Sequence, residues 1–569
     1  MGGAVGATVR SPTASVSGGL ARRHRSGMTE RRAEVRQWGA DVLPSCLFGL
    51  VVAVAGPVLL FHYGAYHWFR GDEWVLLAGP NGSSFPDLFE PHTGSHLVAL
   101  PRLLYYGLWQ VFGATTYKPY QLIVVVTHVA IAVLLHAVMR RAKVRPWIAF
   151  AAVALFVLVG PGAKNAVWAF QMGFNGSLAW GLAHLLLADH GGRADRRDGL
   201  GLVCGLLAIA SSGVGVSLAA GVGVAVLMRR GWRMALMHSA PLLTFYAVWA
   251  VIADAGSYGS SGRPGLEVLV DWTKSFAVGT FVGLGRFEVL AWAFVAVVLV
   301  GAVLLGMGQR GGHLPDLRIT LAIPIGLALA ALSFVLTTGL ARSWLGASAA
   351  RGDRYVYIAA ALILPLIAVT AEAIASRWRA LGPVVVLLFL FAVPFNLNGF
   401  DQGRFDEQWM DKQQYVLTTA VRMPFANDVP SDVVPASDSG ASDRVTIGFL
   451  LEAASHGYLT PSTIPLTSAV VDEFKVRLGV AQRSLPGLPS GCRIYDEPVL
   501  LNPHRGDVVY IGGRVSVAAL GDGQRSARPV IFDPLIGGYE LTIELPDLSL
   551  RIGPAGQAAR FGLCAAAGE

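Results

Sequence analysis

Residues 42–65, VLPSCLFGLVVAVAGPVLLFHYGA, contain no Asp, Glu, Lys or Arg and lead into residues 66–74, YHWFRGDEW. About 20 apolar residues cross the ~30 Å hydrocarbon core of a bilayer. The first stretch therefore predicts a membrane span, and the second sets two adjacent carboxylates, Asp72 and Glu73, where the chain leaves it. Ten further apolar segments follow, at about 120–139, 146–160, 174–189, 199–210, 214–228, 234–253, 288–308, 318–340, 355–375 and 381–397. The fold class read from them is an α-helical polytopic membrane protein of about 11 transmembrane helices.

Composition agrees. Of 569 residues, 53% are hydrophobic and 14% charged, too apolar for an ordinary soluble domain. The net charge of +8 does not indicate nucleic acid: residues 397–569 hold 14 Lys and Arg against 20 Asp and Glu, so the remainder holds 31 against 17. That excess lies mostly in short loops, as a topology signal does. With the Arg-rich leader, residues 1–41, placed in the cytoplasm, Arg140–Lys143, Arg193–Arg197, Arg229-Arg230, Gln309–Arg318 and Ser376–Arg379 all fall on the cytoplasmic side. An odd number of spans then puts residues 398–569 outside.

The fifth and sixth segments are short and joined by Ser211-Ser212-Gly213. Interrupted backbone at membrane depth is tolerated where it faces protein or a water-filled cavity. A compatible alternative is a helix pair packed closely through Gly201, Gly205, Gly221 and Gly223. Three outer loops are long enough to build a site, 66–119, 254–287 and 341–354. The first carries an amphipathic helix, Leu97–Phe112, whose Tyr105, Tyr106 and Trp109 suit a membrane interface, and the second an amphipathic piece, Leu266–Val278.

The extracytoplasmic tail reads as an α+β domain rich in strands. Helices are expected at about 405–422 and 445–456, with a Pro/Ser/Asp linker, 427–443, between them; from Cys492 onward alternating runs such as 508–511 and 539–545 predict antiparallel strands. Cys492 and Cys564 lie in this exported part and are expected to be bonded to each other, whereas Cys46 and Cys204 lie in apolar runs.

Moving a sugar from a polyprenyl phosphate to a hydroxyl requires a base and groups that hold the leaving phosphate. Asp72 and Glu73 are the candidate bases, with plain solvated surface as the alternative. His92, His96 and Arg102 follow in the same loop. The histidines are spaced to share a helix face, but no third ligand stands in register, so a divalent metal is conceivable and unsupported. On the next outer connection Lys164 is either a phosphate ligand or a lysine snorkelling at a helix end. Gln171 closes that stretch. Before the tenth span stand Arg342, Arg351, Asp353, Arg354 and Tyr355, where guanidinium groups suit phosphate oxygens unless they pair with Asp353. His92, His96, Arg102, Lys164, Gln171, Arg351, Arg354 and Tyr355 make up the expected substrate- and phosphate-binding set. No nucleotide-binding loop, dinucleotide fingerprint or hydrolase elbow occurs.

This layout over about residues 42–400 resembles the GT-C superfamily of integral membrane glycosyltransferases, and poorly characterised bacterial members in particular. The resemblance implies a catalytic acid in the first outer loop at Asp72, with Glu73 as its neighbour, and a late phosphate-contacting cation at Arg351 or Arg354. It also implies a polyprenyl-phosphate sugar donor and an exported domain that binds an acceptor glycan. The Asp-Glu pair departs from the double-Asp form of some members, which leaves the base open between the two. The expectation is an inverting hexosyl- or pentosyltransferase of the bacterial cell membrane, without cofactor or nucleic acid, acting on a glycan, lipid or protein acceptor. Its rivals are a transporter or lipid flippase, and a noncatalytic envelope-assembly protein.

Overall fold

The computed structural model describes residues 42–79, 83–92, 96–255, 264–310, 317–401, 407–435, 444–485, 493–512, 514–520, 528–532, 538–546, 548–555 and 561–564. The leader, 1–41, lies outside them. Each of the eleven apolar segments forms a helix. Among the described residues seven are long and apolar enough to cross a bilayer. These are α1 (Val42–Tyr63), α5 (Lys118–Arg141), α11 (Trp232–Ile252), α13 (Glu288–Arg310), α14 (Leu317–Arg342), α15 (Asp353–Arg377) and α16 (Gly382–Asp401). The chain is a multi-pass membrane protein.

The other four are shorter. α6 (Pro146–Val157) has 12 residues and bends by 51° into Gly160–Val167, whose helical part is α7 (Ala163–Val167). α8 (Met172–Ala188) and α10 (Val214–Arg230) have 17 residues each, and α9 (Arg196–Ser211) has 16. At 1.5 Å per residue these three reach about 24–26 Å, short of the ~30 Å core. The bend after α6 exposes backbone that a neighbour satisfies: Asn396 accepts from the Gly160 N–H at 2.8 Å and donates to Leu284 and Ala392 carbonyls at 2.9 Å each. Broken helices inside a membrane protein need such partners.

At the end of α1, Lys118 supplies them. Its ammonium donates to the carbonyls of Leu60 at 2.9 Å and Gly64 at 2.7 Å, closing the turn that ends α1. The four glycines of α9 and α10 do mediate close packing, but toward other helices. Gly201 and Gly205 abut His184 of α8, Gly223 abuts Ser239 of α11, and a Cβ at Gly221 would meet the Gly326 carbonyl of α14. Gly326 is likewise closed off by the Gly221 carbonyl, so α10 and α14 cross backbone to backbone.

The loop after α1 holds α2 (Asp72–Ala78), α3 (Phe85–Phe89) and α4 (Ala99–Phe112); α12 (Leu266–Gly285) lies in the connection between α11 and α13. The tail begins with α17 (Glu407–Ala420), α18 (Ile447–Ser455) and α19 (Ser468–Gly479). These helices pack on α4: Trp109 lies 5.8 Å from Phe449 and 5.6 Å from Tyr458, whose hydroxyl donates to Gln110 at 3.2 Å. Tyr105 and Trp109, expected at a lipid interface, are buried in protein instead.

Among the described residues nine antiparallel strands follow, starting at Val480, earlier than the sequence suggested. One sheet has the order β1 (Val480–Leu485), β7 (Gly538–Ile543), β4 (Val508–Gly512), β9 (Phe561–Cys564), β2 (Arg493–Tyr495). The other runs β3 (Val499–Leu501), β8 (Leu550–Pro554), β5 (Val515–Ala519), β6 (Val530–Phe532). Ile511, Leu541 and Ile543 of the first share a core with Val517, Phe532 and Ile552 of the second. Cys492 lies outside the described residues, and so does its expected bond to Cys564.

The α10–α14 crossing yields a prediction. Gly221→Val should lower the thermal midpoint of the protein in detergent by several degrees, since overpacking typically costs about 1–3 kcal/mol. Gly306→Ala, a helix position with nothing within 4 Å of an added Cβ, should leave the midpoint unchanged or raise it in the same assay.

Candidate functional site

Neighbouring residues on an α-helix point about 100° apart, so two adjacent acids cannot share one environment. In α2 they part company. Gly71 caps the helix with φ 54°, a conformation open to glycine. Glu73 and Leu77 then turn into the protein and are buried, while Asp72 and Leu76, one turn apart, face a chamber of about 230 Å³.

Glu73 is wholly buried and accepts four hydrogen bonds. Tyr105 and Tyr117 hydroxyls donate to Oε1 at 2.6 and 2.9 Å; the Trp168 indole N–H and the Arg70 backbone N–H each donate to Oε2 at 2.9 Å. Burial pushes its carboxyl up to about 7, against the pull of these donors.

The chamber is assembled from segments far apart in sequence. α2 gives Asp72, the end of α14 gives Arg342 and the start of α15 gives Arg354. Phe170, Gly173 and Phe174 come from the entry to α8. Ser211 and Ser212, where α9 breaks before α10, complete the wall, so the interrupted backbone does face a cavity.

His92 and His96 line the chamber as well, but not from a helix. Their backbones form an antiparallel bridge, His92 N–H to His96 O at 2.8 Å and the reverse at 3.2 Å. His96 Nε2 lies 2.7 Å from an Arg342 guanidinium nitrogen and accepts from it. Burial, with Arg342 beside it, pushes the His96 imidazole down to about 3 and so keeps it neutral. His92 is 4% exposed, and neither of its ring nitrogens has a hydrogen-bond partner among the described residues. Burial lowers it to about 4, with Asp72 pulling the other way.

The remaining expected ligands stand elsewhere. Arg102 is buried in α4 and donates to the Glu90 carbonyl at 2.8 Å and to that of Asp87, clamping the loop before the histidines. Lys164 is exposed, its ammonium 4.0 Å from Asp353. Arg351 donates to Ser275 Oγ at 3.1 Å. Gln171 is buried and accepts from Asn165 at 3.4 Å. Tyr355 is buried between Trp272 and Phe334, beneath the Arg354 guanidinium at 5.4 Å. Arg342 is one of the late arginines but stands outside the expected ligand set; its only sequence signal is a cation at the end of a span. Phe170 and Phe174 gave none.

Among the described residues one His/Asp group has metal-like spacing, His190, Asp195 and Asp198. It sits at the opposite ends of α8 and α9 from the chamber. Asp198 there is already engaged by Arg230 and by His238 at 2.9 Å.

No protein family matches the chain, and no curated protein does. Two solved structures resemble it. ArnT from Cupriavidus metallidurans in the apo state is 14% identical, with a TM-score of 0.39, over 77% of this chain and 92% of that one. The same protein bound to undecaprenyl phosphate is 15% identical, with the same TM-score and coverage.

The environment of Glu73 makes stability depend on pH. Its folded-state carboxyl, raised from the usual 4.5 to about 7, holds its proton more tightly than the unfolded chain does. The contribution is therefore full below about 4.5 and is lost as pH rises through 7, on the order of 3 kcal/mol in all. Glu73→Gln can present its carbonyl to Trp168 and Arg70 and its amide to the tyrosine oxygens. Calorimetry between pH 5 and 8 should show the wild type losing stability as pH rises and Glu73→Gln losing markedly less.

Proposed function

We propose that this protein is a membrane glycosyltransferase that moves a sugar from a polyprenyl-phosphate donor to a hydroxyl of an extracytoplasmic glycan, lipid or protein, with inversion. The observation that carries the reading is one chamber lined by a carboxylate, Asp72, and by two guanidinium groups, Arg342 and Arg354. Glu73 is set aside as base because four donors already occupy its oxygens.

In the proposed reaction Asp72 takes the proton of the acceptor hydroxyl. That oxygen bonds to the anomeric carbon as the bond from this carbon to the phosphate oxygen breaks. The electron pair leaves with the polyprenyl phosphate, whose growing charge Arg342 and Arg354 offset. Inversion needs one base and no covalent intermediate. Side chains alone carry these steps, so the reading includes no metal. The positive-inside pattern supports a cytoplasmic N-terminus and an extracytoplasmic tail in the bacterial cell membrane.

A transporter reading would draw on the ionisable groups between helices, His184, Asp198, Arg230 and His238. Those groups close on one another, with His184 3.0 Å from His238 and His238 2.9 Å from Asp198, and they stand a helix length from the chamber.

Asp72→Asn should lower transfer from polyprenyl-phosphate sugars by about 100-fold or more, the usual weight of a general base. Arg342→Ala and Arg354→Ala should raise KM for the donor. Full transfer by Asp72→Asn membranes would end the reading.

A further inference from the structure

The two histidines of the chamber are paired across a backbone bridge, so their side chains emerge on the same side. Their partners differ. His96 spends its acceptor nitrogen on Arg342, whereas His92 has two ring nitrogens without a partner among the described residues, is nine-tenths buried and lines the chamber. Buried polar atoms left unpaired cost about 1–3 kcal/mol each, and such a residue in a cavity wall marks a place where a ligand supplies the partners.

The chemistry of that ligand follows from the imidazole. A neutral ring offers one N–H donor and one acceptor lone pair. A phosphodiester anion presents only acceptors, so it leaves one ring nitrogen bare. Hydroxyl groups both donate and accept, so two of them satisfy both nitrogens. Phe170, whose ring centroid lies 5.6 Å from that of His92, also faces the chamber and offers an apolar surface to sugar C–H groups. Burial together with the nearby Arg102, Arg444 and Arg342 opposes protonation of His92, and only Asp72 favours it.

We propose that His92 is the group that reads the sugar of the donor, through hydrogen bonds to two of its hydroxyls, while Arg342 and Arg354 hold the phosphate. This rests on the glycosyltransferase reading. It separates two residues that sequence spacing treats alike: His96 positions Arg342, and His92 sets specificity.

The test uses the full-length protein in nanodiscs and two kinds of probe. One is undecaprenyl phosphate without sugar; the other is the same lipid phosphate carrying glucose, mannose or arabinose. The wild type should bind one sugar-bearing lipid about tenfold or more tighter than the bare phosphate. His92→Phe keeps a planar ring and removes both polar atoms. It should abolish that preference and leave undecaprenyl phosphate affinity within about twofold. Because the His92 side chain makes no hydrogen bond to any described residue, the thermal midpoint of His92→Phe should not fall. His92→Ala provides the same binding comparison if the phenylalanine variant does not fold.

Equal loss for both kinds of lipid, or no loss for either, overturns the proposal. A wild type that binds undecaprenyl phosphate but prefers no sugar-bearing form overturns the role of His92 and leaves the phosphate cradle standing. A wild type that binds neither kind of lipid removes the glycosyltransferase reading itself.

Discussion

One carboxylate organises the region around the chamber. Glu73 collects donors from the loop before α2, from α4, from the residue that precedes α5 and from the stretch before α8. A buried carboxylate is tolerated when its lone pairs are satisfied, and here each oxygen receives two bonds. The network extends one step further, because the Tyr117 hydroxyl accepts from the Ala169 N–H at 2.9 Å. Arg70 lies over the Trp168 ring at 4.5 Å and brings a positive charge to the same cluster. With Glu73 pinned from four directions, α2 cannot rotate about its axis, and Asp72 is held facing the chamber.

The opposite wall is fixed by a second set of buried polar contacts. In α15, three residues after Arg354, Tyr357 reaches His128 of α5 at 2.8 Å, and His128 in turn lies 3.1 Å from the Val157 carbonyl at the end of α6. Donation from the tyrosine to Nδ1 places the histidine proton on Nε2, where Val157 accepts it. The start of α15 is thereby tied to α5 and α6. Arg342 is held from the other side by His96. An early loop and two late helices meet across the chamber, which is what a reaction with one basic and one phosphate-binding wall requires.

Much of the fold was legible because apolar length is a local property. All eleven segments are helices, and the charge-poor runs located them within a few residues. The break at Gly160-Pro161-Gly162 fell at the end of a predicted span, since hydropathy does not register a bend that Asn396 repairs from α16. Asp72 was legible as half of a pair, but its separation from Glu73 depends on Tyr105, Tyr117 and Trp168, which no local pattern ties to the acid. Lys164 and Arg351 looked like phosphate ligands because they are cations in loops that the charge pattern assigns to the outside. In the structure Lys164 approaches Asp353 and Arg351 bonds Ser275, pairings set by helix packing. Trp109 looked interfacial until the tail, more than 300 residues later, covered it.

The charges in the chamber suit the proposed reaction in a specific way. Burial keeps both histidines neutral, with His92 at about 4 and His96 at about 3, so near neutral pH Asp72, Arg342 and Arg354 set the charge of the lining. Before transfer that lining is net positive by one charge, opposite a donor phosphodiester that carries one negative charge. When Asp72 takes the acceptor proton, the lining becomes positive by two as the departing lipid phosphate becomes a monoester that can carry two negative charges. The electrostatic match therefore grows along the reaction instead of being complete in the ground state, which is the form of binding that lowers a barrier. A histidine protonated at neutral pH would add its charge before transfer and hold the donor more tightly without helping the step. The burial of His92 and His96 is thus part of the same arrangement as the two arginines.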